Sequence, residues 1–272
     1  MAATSPTSSP PPPLKWAGGK RWLVPKLLPL WQPFQQCRLV EPFVGGMAIA
    51  LGLRPQYALL NDINQHLINF YRCLQNGFKI NLPMYNDHDL YYQYRQEFNQ
   101  LILNNQRHKQ QAAALFYYMN RTGFNGLCRF NKKGKYNVPM GRYKTINYKQ
   151  DFSEYAPIFK NWEFTSGNFA DMTIQSNDFI YADPPYDKTF TQYAGNVFDW
   201  AEQERLALWL VKQNVPVIAS NAATVNIIEL YGDLGFKLDF LKVRRKISCD
   251  GNREFVQEML ATINQLPGTV CN

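Results

Sequence analysis

The chain has 272 residues, 46% hydrophobic and 15% aromatic, enough apolar matter for one large domain or for one domain carrying an insertion. Its formal net charge of +8 points to a polyanionic partner, so where that charge sits matters more than its sum. No apolar run approaches the roughly 18–20 residues of a membrane span; His66, His88 and His108 lack partners at ligand spacing, so no metal site is expected; and five scattered cysteines without a C-x-x-C pair, behind an N-terminus with no signal-peptide pattern, are expected to be reduced thiols of a cytoplasmic protein.

Residues 1–13 are rich in Ala, Ser and Thr and end in Pro10 to Pro13. They offer too little apolar surface to order themselves, and a disordered or polyproline tail is expected. Leu14-Lys15-Trp16-Ala17-Gly18-Gly19-Lys20 places a large ring between a lysine and a flexible glycine pair, ahead of a basic helical stretch from Lys20 to about Leu30. Arg38 to Val44 then reads as a strand that runs into Gly45-Gly46 and a helix from Met47 to Leu53. Strand, glycine turn and helix form the nucleotide-cradling unit of doubly wound folds. The full G-x-G-x-x-G that brings a pyrophosphate to a helix N-terminus is missing, which disfavours a nicotinamide oxidoreductase. A cofactor without phosphates, such as S-adenosylmethionine, makes no such demand. The next strand, Tyr57 to Asn61, ends in Asp62, seventeen positions after Gly45. That acid is placed to accept ribose hydroxyls, or else to cap a helix starting at Ile63.

From Ile63 to about Asn120 the apolar spacing is helical, and its aromatic stripes read as core. The window from Arg121 to Lys149 differs in kind. It holds eight basic residues, Lys132 and Lys133 among them, and no acid, so it alone equals the net charge of the chain. Its turn residues between short aromatic-bearing pieces predict a basic β-hairpin, suited to phosphates and base edges or, failing that, a solvated loop.

Phe152 to Phe169 leads back towards the sheet, and Phe179 to Ala182 is an apolar strand that stops at Asp183-Pro184-Pro185-Tyr186. Proline cannot continue the ladder and stiffens the residue before it. A rigid acidic corner therefore stands where open α/β sheets bind ligands, although a surface turn would share the pattern. Helices at Trp200 to Gln213 and Thr224 to Leu234 flank a strand from Val215 to Ala219. Lys237 to Val243 and Phe255 to Ile263 form a closing hairpin, so the expected fold is an α/β, Rossmann-like, mostly parallel sheet with one antiparallel strand. Arg244 and Arg245 belong to a second basic cluster suited to phosphates. The expected division is 14–68 and 160–272 for the sheet domain and 69–159 for an inserted recognition domain.

These stretches together resemble the DNA adenine N6-methyltransferase family of the Dam type, whose members methylate adenine in GATC. The marks are Leu14 to Lys20, Glu41-Pro42-Phe43-Val44-Gly45, Asn120-Arg121 followed by Gly123 to Arg129, Asn137-Val138-Pro139, Gly141-Arg142-Tyr143, Asp183 to Tyr186 and Val243-Arg244-Arg245. The resemblance implies a class I methyltransferase sheet, S-adenosylmethionine as cofactor and double-stranded DNA as partner. It assigns Trp16, Lys20, Gly45, Asp62 and Asp183 to the cofactor, and the Asp183 corner with Pro184 and Tyr186 to the target base. Lys15, Leu127, Arg129 and Pro139 match positions that read GATC. Phe124, Asn125, Arg142 and Tyr143 fall in segments that intercalate or contact bases and backbone. Phe124 stands where the family usually has tyrosine, which keeps stacking and loses a phenolic hydrogen bond. Gly46-Met47 stands where a small, polar run is frequent.

The expected chemistry follows from adenine itself. Its amino lone pair is delocalised, so acceptors for both N6 hydrogens, here Asp183 and the Pro184 carbonyl, favour rehybridisation. The base must leave the duplex, and Tyr186 offers it a stacking face. No metal is required, and the absence of a Pro-Cys motif argues against cytosine C5 chemistry. Cytosine N4, RNA adenine and a protein glutamine amide are alternative targets, and a catalytically idle DNA-binding scaffold is an alternative of another class. A monomer off DNA, in a bacterial or phage setting, is expected.

Overall fold

Strands buried on both faces must be apolar at every position, and the sequence runs that qualify assemble into one sheet. The computed structural model of the protein describes residues 10–186, 198–244 and 255–264. Among them, β1 (Arg38–Glu41), β2 (Ala58–Asp62), β3 (Trp162–Ser166), β4 (Asp178–Ala182), β5 (Val217–Ala222), β6 (Lys237–Arg244) and β7 (Phe255–Ile263) lie in the order β3-β2-β1-β4-β5-β7-β6. The first five strands of that order pair in parallel, and β7 enters antiparallel between β5 and β6. The α/β sheet with one inserted antiparallel strand is thus as expected.

The period-two alternation of strands divides the core. Leu39, Leu60, Phe179 and Tyr181 face one layer, with α1 (Val24–Trp31), α2 (Ala48–Leu53), α3 (Gln65–Gln75), α4 (His88–Leu103), α5 (Gln110–Thr122) and α6 (Ala156–Phe159). Val40, Leu59, Ile180 and Ala182 face the other, with α7 (Trp200–Val211) and α8 (Val225–Asp233). The aromatic stripes are core, as their spacing predicts: Phe70 stacks on Tyr117 at 5.6 Å and 8°, and Tyr91, Phe98 and Tyr118 are fully buried.

Local contacts set several details that the sequence pattern leaves open. Helix α3 begins at Gln65 because the Asn64 side chain caps it, accepting from the His66 and Leu67 amides. The basic window closes as a short hairpin, as expected: the Phe130–Tyr136 bridge is flanked by the Asn131 amide on the Lys135 carbonyl at 2.9 Å and the Asn137 amide on the Arg129 carbonyl at 3.1 Å, and a further bridge joins Gly123 and Met140. There the Asn131 side chain takes the amides of Lys133 and Lys135, both at 3.0 Å, and braces the turn of the hairpin. Not every thiol is reduced: Cys37 is disulfide-bonded, whereas Cys73 and Cys128 are free and buried. Residues 1–9 of the tail lie outside the described residues, while Pro13 is buried and the Pro11 carbonyl accepts from the Tyr155 hydroxyl at 2.6 Å.

β1 and β4 are locked together at their first residues. Arg38 and Asp178 are register partners, and the guanidinium grips the carboxylate through Nε–Oδ1 at 2.7 Å and Nη2–Oδ2 at 2.8 Å. The Asp178 side chain is fully buried. Arg38→Met strands that charge and should lower unfolding free energy by about 3–5 kcal/mol in urea denaturation. A loss below about 1 kcal/mol, the worth of an exposed pair, would show that the pair is not structural.

Candidate functional site

In this strand order the crossovers run in opposite directions from β1 and β4, so a crevice opens beyond their carboxyl ends. Acids stand at that edge: Glu41 ends β1, Asp62 ends β2, and Asp183 follows β4. Proline stops the chain after Glu41 and after Asp183 alike. A cavity of about 330 Å³ occupies the crevice. Among the described residues, four carboxylates line it, from Glu41, Asp62, Asp183 and Glu202, against one ammonium, that of Lys20. Such a wall repels a pyrophosphate and attracts a ligand that carries positive charge. Among the described residues no cluster of three or more His, Cys, Asp or Glu side chains could hold a metal ion.

Asp62 organises the glycine turn. Its Oδ2 accepts the Gly45 amide at 3.1 Å and its Oδ1 the Asn64 amide at 2.9 Å, so it braces the turn while Asn64 caps the helix. Burial outweighs these bonds and raises its carboxyl to about 6. Gly45 has φ +45°, and a Cβ there would lie 2.8 Å from Trp16 Nε1; at Gly46 it would lie 2.8 Å from Trp16 Cβ. Both glycines are needed for the indole to lie against the turn. Glu41 is 2% exposed and accepts from the Ala50 amide, but its Oε1 has no partner among the described residues. Burial, with Asp183 as a like-charged neighbour, pushes its carboxyl well up. An unpartnered buried acceptor beside a cavity fits a ligand with a cationic donor.

The Asp183 corner is held from several sides. Ser220 on β5 donates to Asp183 Oδ1 at 2.8 Å, and the Tyr181 hydroxyl lies 2.9 Å from Ser220 Oγ. Gln203 on α7, fully buried, donates to the Pro185 carbonyl at 2.8 Å and accepts from Asn221 at 3.0 Å. Pro184 is buried, and Asp183, Pro185 and Tyr186 are half-buried. Lys20, only 5% exposed, stands 3.7 Å from Asp183, 3.0 Å from Glu258 on β7, and over the Tyr186 ring at 4.3 Å. The Tyr186 hydroxyl meets Lys20 and donates to Glu258 at 3.1 Å. Burial raises the Asp183 carboxyl, and Lys20 acts against that rise.

The residues assigned to base reading gather on a second surface that touches the first. Lys15 and Asn120 are joined twice, the Lys15 amide to Asn120 Oδ1 at 2.9 Å and Asn120 Nδ2 to the Lys15 carbonyl at 2.8 Å. The Lys15 ammonium donates to the Arg121 carbonyl at 3.0 Å and sits over the Tyr143 ring at 3.9 Å. Gly126 packs so closely on Lys15 that a Cβ would meet it at 2.6 Å. The Phe124 amide donates to the Pro139 carbonyl at 2.9 Å, Tyr143 to the Gly123 carbonyl at 3.0 Å, and Tyr136 to the Leu127 carbonyl at 3.1 Å. Phe124 is 47% exposed, and Asn125 beside it adopts φ +52°. Arg129 is exposed, with Nε on Asn137 Oδ1 at 2.9 Å, and Lys132, Lys133 and Arg142 are exposed as well. Arg245 and the Arg244 side chain lie outside the described residues.

Glu41, Ser220, Gln203 and Glu258 join the site without having been singled out. Glu41 carried a usable signal, because Glu41-Pro42 repeats the acid-then-proline stop of Asp183-Pro184. Ser220 and Glu258 depend on strand register and Gln203 on how α7 packs, which no local pattern encodes.

Fold and site together define a doubly wound α/β protein whose crevice suits a positively charged ligand without phosphates. The family model for the D12 class N6 adenine-specific DNA methyltransferase matches residues 16–248. The DNA adenine methylase of Escherichia coli K12 is 36% identical, covering 94% of this chain and 96% of its own. That of Salmonella typhi is 37% identical, covering 91% and 93%. The DNA N-6-adenine-methyltransferase of Escherichia phage P1 is 36% identical over 88% of this chain, which spans only a third (33%) of that longer relative. The chain belongs to the Dam-type D12 class of N6 adenine-specific DNA methyltransferases. That membership implies a DNA substrate and a methyl donor of the S-adenosylmethionine type.

Proposed function

We propose that the protein transfers a methyl group from S-adenosylmethionine to the N6 amino group of adenine in double-stranded DNA, within GATC. The observation that carries the reading is the Asp183 corner, a carboxylate held by Ser220 and stiffened by two prolines, beside a cavity lined by four acids and one lysine.

When bound, S-adenosylmethionine supplies an electrophilic methyl on a sulfonium for direct in-line transfer. Trp16, Gly45, Asp62, Lys20 and Asp183 would hold it, with Glu41 as an added acceptor for its cationic part. Asp62 takes the ribose hydroxyls, since an ionised carboxylate only accepts. Asp183 and the Pro184 carbonyl accept the two amino hydrogens of the adenine and turn its lone pair outward. The target is flipped from the duplex, because its amino group is unreachable in the stack. Tyr186 stacks on the flipped ring with the face turned from Lys20, a contact worth about 1–3 kcal/mol. Phe124 and Asn125 enter the opened helix. Lys15, Leu127, Arg129 and Pro139 read base edges, and Arg142, Tyr143, Lys132, Lys133, Arg244 and Arg245 hold the backbone.

Residues 14–68 and 160–272 serve as the catalytic unit and 69–159 as the target-recognition unit. No helix among the described residues is long and apolar enough to cross a membrane. The protein is proposed to act in the bacterial or phage-infected cytoplasm as a monomer when off DNA.

Labelled methyl transfer to a GATC duplex, with a duplex lacking GATC as control, tests the whole reading; equal labelling of both would end the GATC assignment. Asp183→Ala should still bind DNA and lose methylation, and robust turnover by that variant would remove Asp183 from the chemistry. Arg129→Ala should relax discrimination at one base pair by roughly 1–3 kcal/mol in a panel of single-substituted duplexes. Lys132→Ala and Lys133→Ala should instead weaken binding to all sequences and each lower the salt slope by about one. If Arg129→Ala behaves like the lysine variants, it contacts phosphate.

Asp62 adds a pH dependence whose sign is fixed by its raised carboxyl, near 6 without ligand. Ribose hydroxyls need the ionised form, so binding below that pH must first expel a proton. Affinity for S-adenosylmethionine in calorimetric titration should therefore rise about tenfold from pH 5 to pH 7 and then level off. Asp62→Asn should flatten that limb; an unchanged limb would assign it to another group.

A further inference from the structure

We propose that Glu258, on the inserted antiparallel strand, is a positioning residue that keeps the Asp183 carboxylate available to the target amino group by holding Lys20 and Tyr186 away from it. The inference rests on the reading of Asp183 as that acceptor.

Both partners of Glu258 are also partners of Asp183. Lys20 lies 3.0 Å from Glu258 Oε2 and 3.7 Å from Asp183 Oδ1. The Tyr186 hydroxyl donates to Glu258 at 3.1 Å and also bonds towards Asp183. One buried ammonium and one phenol thus stand between two carboxylates, with side chains 21% exposed at Asp183 and 13% at Glu258. A carboxylate saturated by an ammonium and a hydroxyl has few lone pairs left for an incoming amino group. Glu258 competes for both donors and draws the ammonium to its own side. Its place follows from topology: β7 runs antiparallel to β5, Glu258 is the register partner of Ala222, and it therefore reaches the same sheet edge as Asp183.

The charged and titratable groups that face Asp183 are Lys20 ahead of α1, Tyr186 after β4, Tyr181 on β4, Glu41 on β1 and Glu258 on β7. Of these, Glu41 and Glu258 are the acids. Removing the negative charge of Glu258 while keeping its shape lets Lys20 close on Asp183, which favours the ionised carboxylate and occupies it at once.

The test compares full-length Glu258→Gln, Glu258→Asp and Asp183→Ala in steady-state methylation of a GATC duplex across pH. Glu258→Gln should lower the plateau kcat roughly 10- to 100-fold, the scale of a misplaced catalytic contact, with KM for DNA within about twofold. Its acid limb should move to lower pH. Glu258→Asp, which keeps the charge, should recover most of the plateau and the original limb, and it also guards against a folding defect in the amide variant. A Glu258→Gln enzyme with the wild-type plateau overturns the proposal, as does a reduced plateau whose acid limb stays put or moves upward, the mark of mere loosening. In both of those outcomes an inactive Asp183→Ala leaves the assignment of Asp183 standing; an active one removes that assignment and the role of Glu258 with it.

Discussion

Carboxylates gathered at one edge of a buried sheet are costly, and this protein gathers five there with one lysine among them. Glu41, Asp62, Asp183 and Glu202 line the cavity, and Glu258 stands behind Lys20. Burial raises the carboxyls of Glu41, Asp62 and Asp183, the response of acids that lack enough positive charge. A site built this way favours a ligand that carries positive charge. A sulfonium donor with an ammonium group meets that condition and a dinucleotide does not. The charge balance thus explains why the glycine turn has one glycine pair: those glycines admit Trp16, and no phosphate has to be cradled.

The same indole ties chemistry to recognition. Trp16 lies on Gly45-Gly46 at the cavity, and its neighbour Lys15 is bound through both backbone groups by Asn120, at the end of α5. Asn120 is 3% exposed, so neither bond competes with water. A second tie runs from Asp62 through Asn64, whose side chain donates to Cys128 Sγ at 3.2 Å. Cys128 lies between Leu127 and Arg129, two of the residues proposed to read bases. The cavity and the surface proposed to read bases are therefore joined by short hydrogen bonds through Asn120 and Asn64.

Much of this was legible in the sequence, for identifiable reasons. Proline and glycine mark where strands stop, so the Asp183 corner and the turn at Gly45 could be read locally. The acid-free basic window announced a polyanion by composition alone. Its hairpin was legible from the turn residues Asn131 to Lys135, although the bracing of that turn by the Asn131 side chain was not. Asp62 was read as either a ribose acceptor or a helix cap; the structure gives the cap to Asn64, and the ribose role stays a proposal. Glu258 could not be read at all. Its meaning depends on β7 threading between β5 and β6, and a shift of one residue would turn its side chain to the opposite face.

That register dependence also bears on what kind of group Asp183 is. A general base needs an oxygen that can take a proton and pass it on, and its partners should permit that. Asp183 instead accepts from Ser220, which Tyr181 holds in turn, and it stands within reach of Lys20 and Tyr186. All of these partners favour the ionised carboxylate and keep it pointing one way. With Gln203 donating to the Pro185 carbonyl, the corner is fixed in position. Such a group is suited to receiving hydrogen bonds in a set geometry, and poorly suited to carrying a proton away. The amino group of adenine, whose lone pair must be turned out of conjugation before it can react, asks for the first of these and not the second.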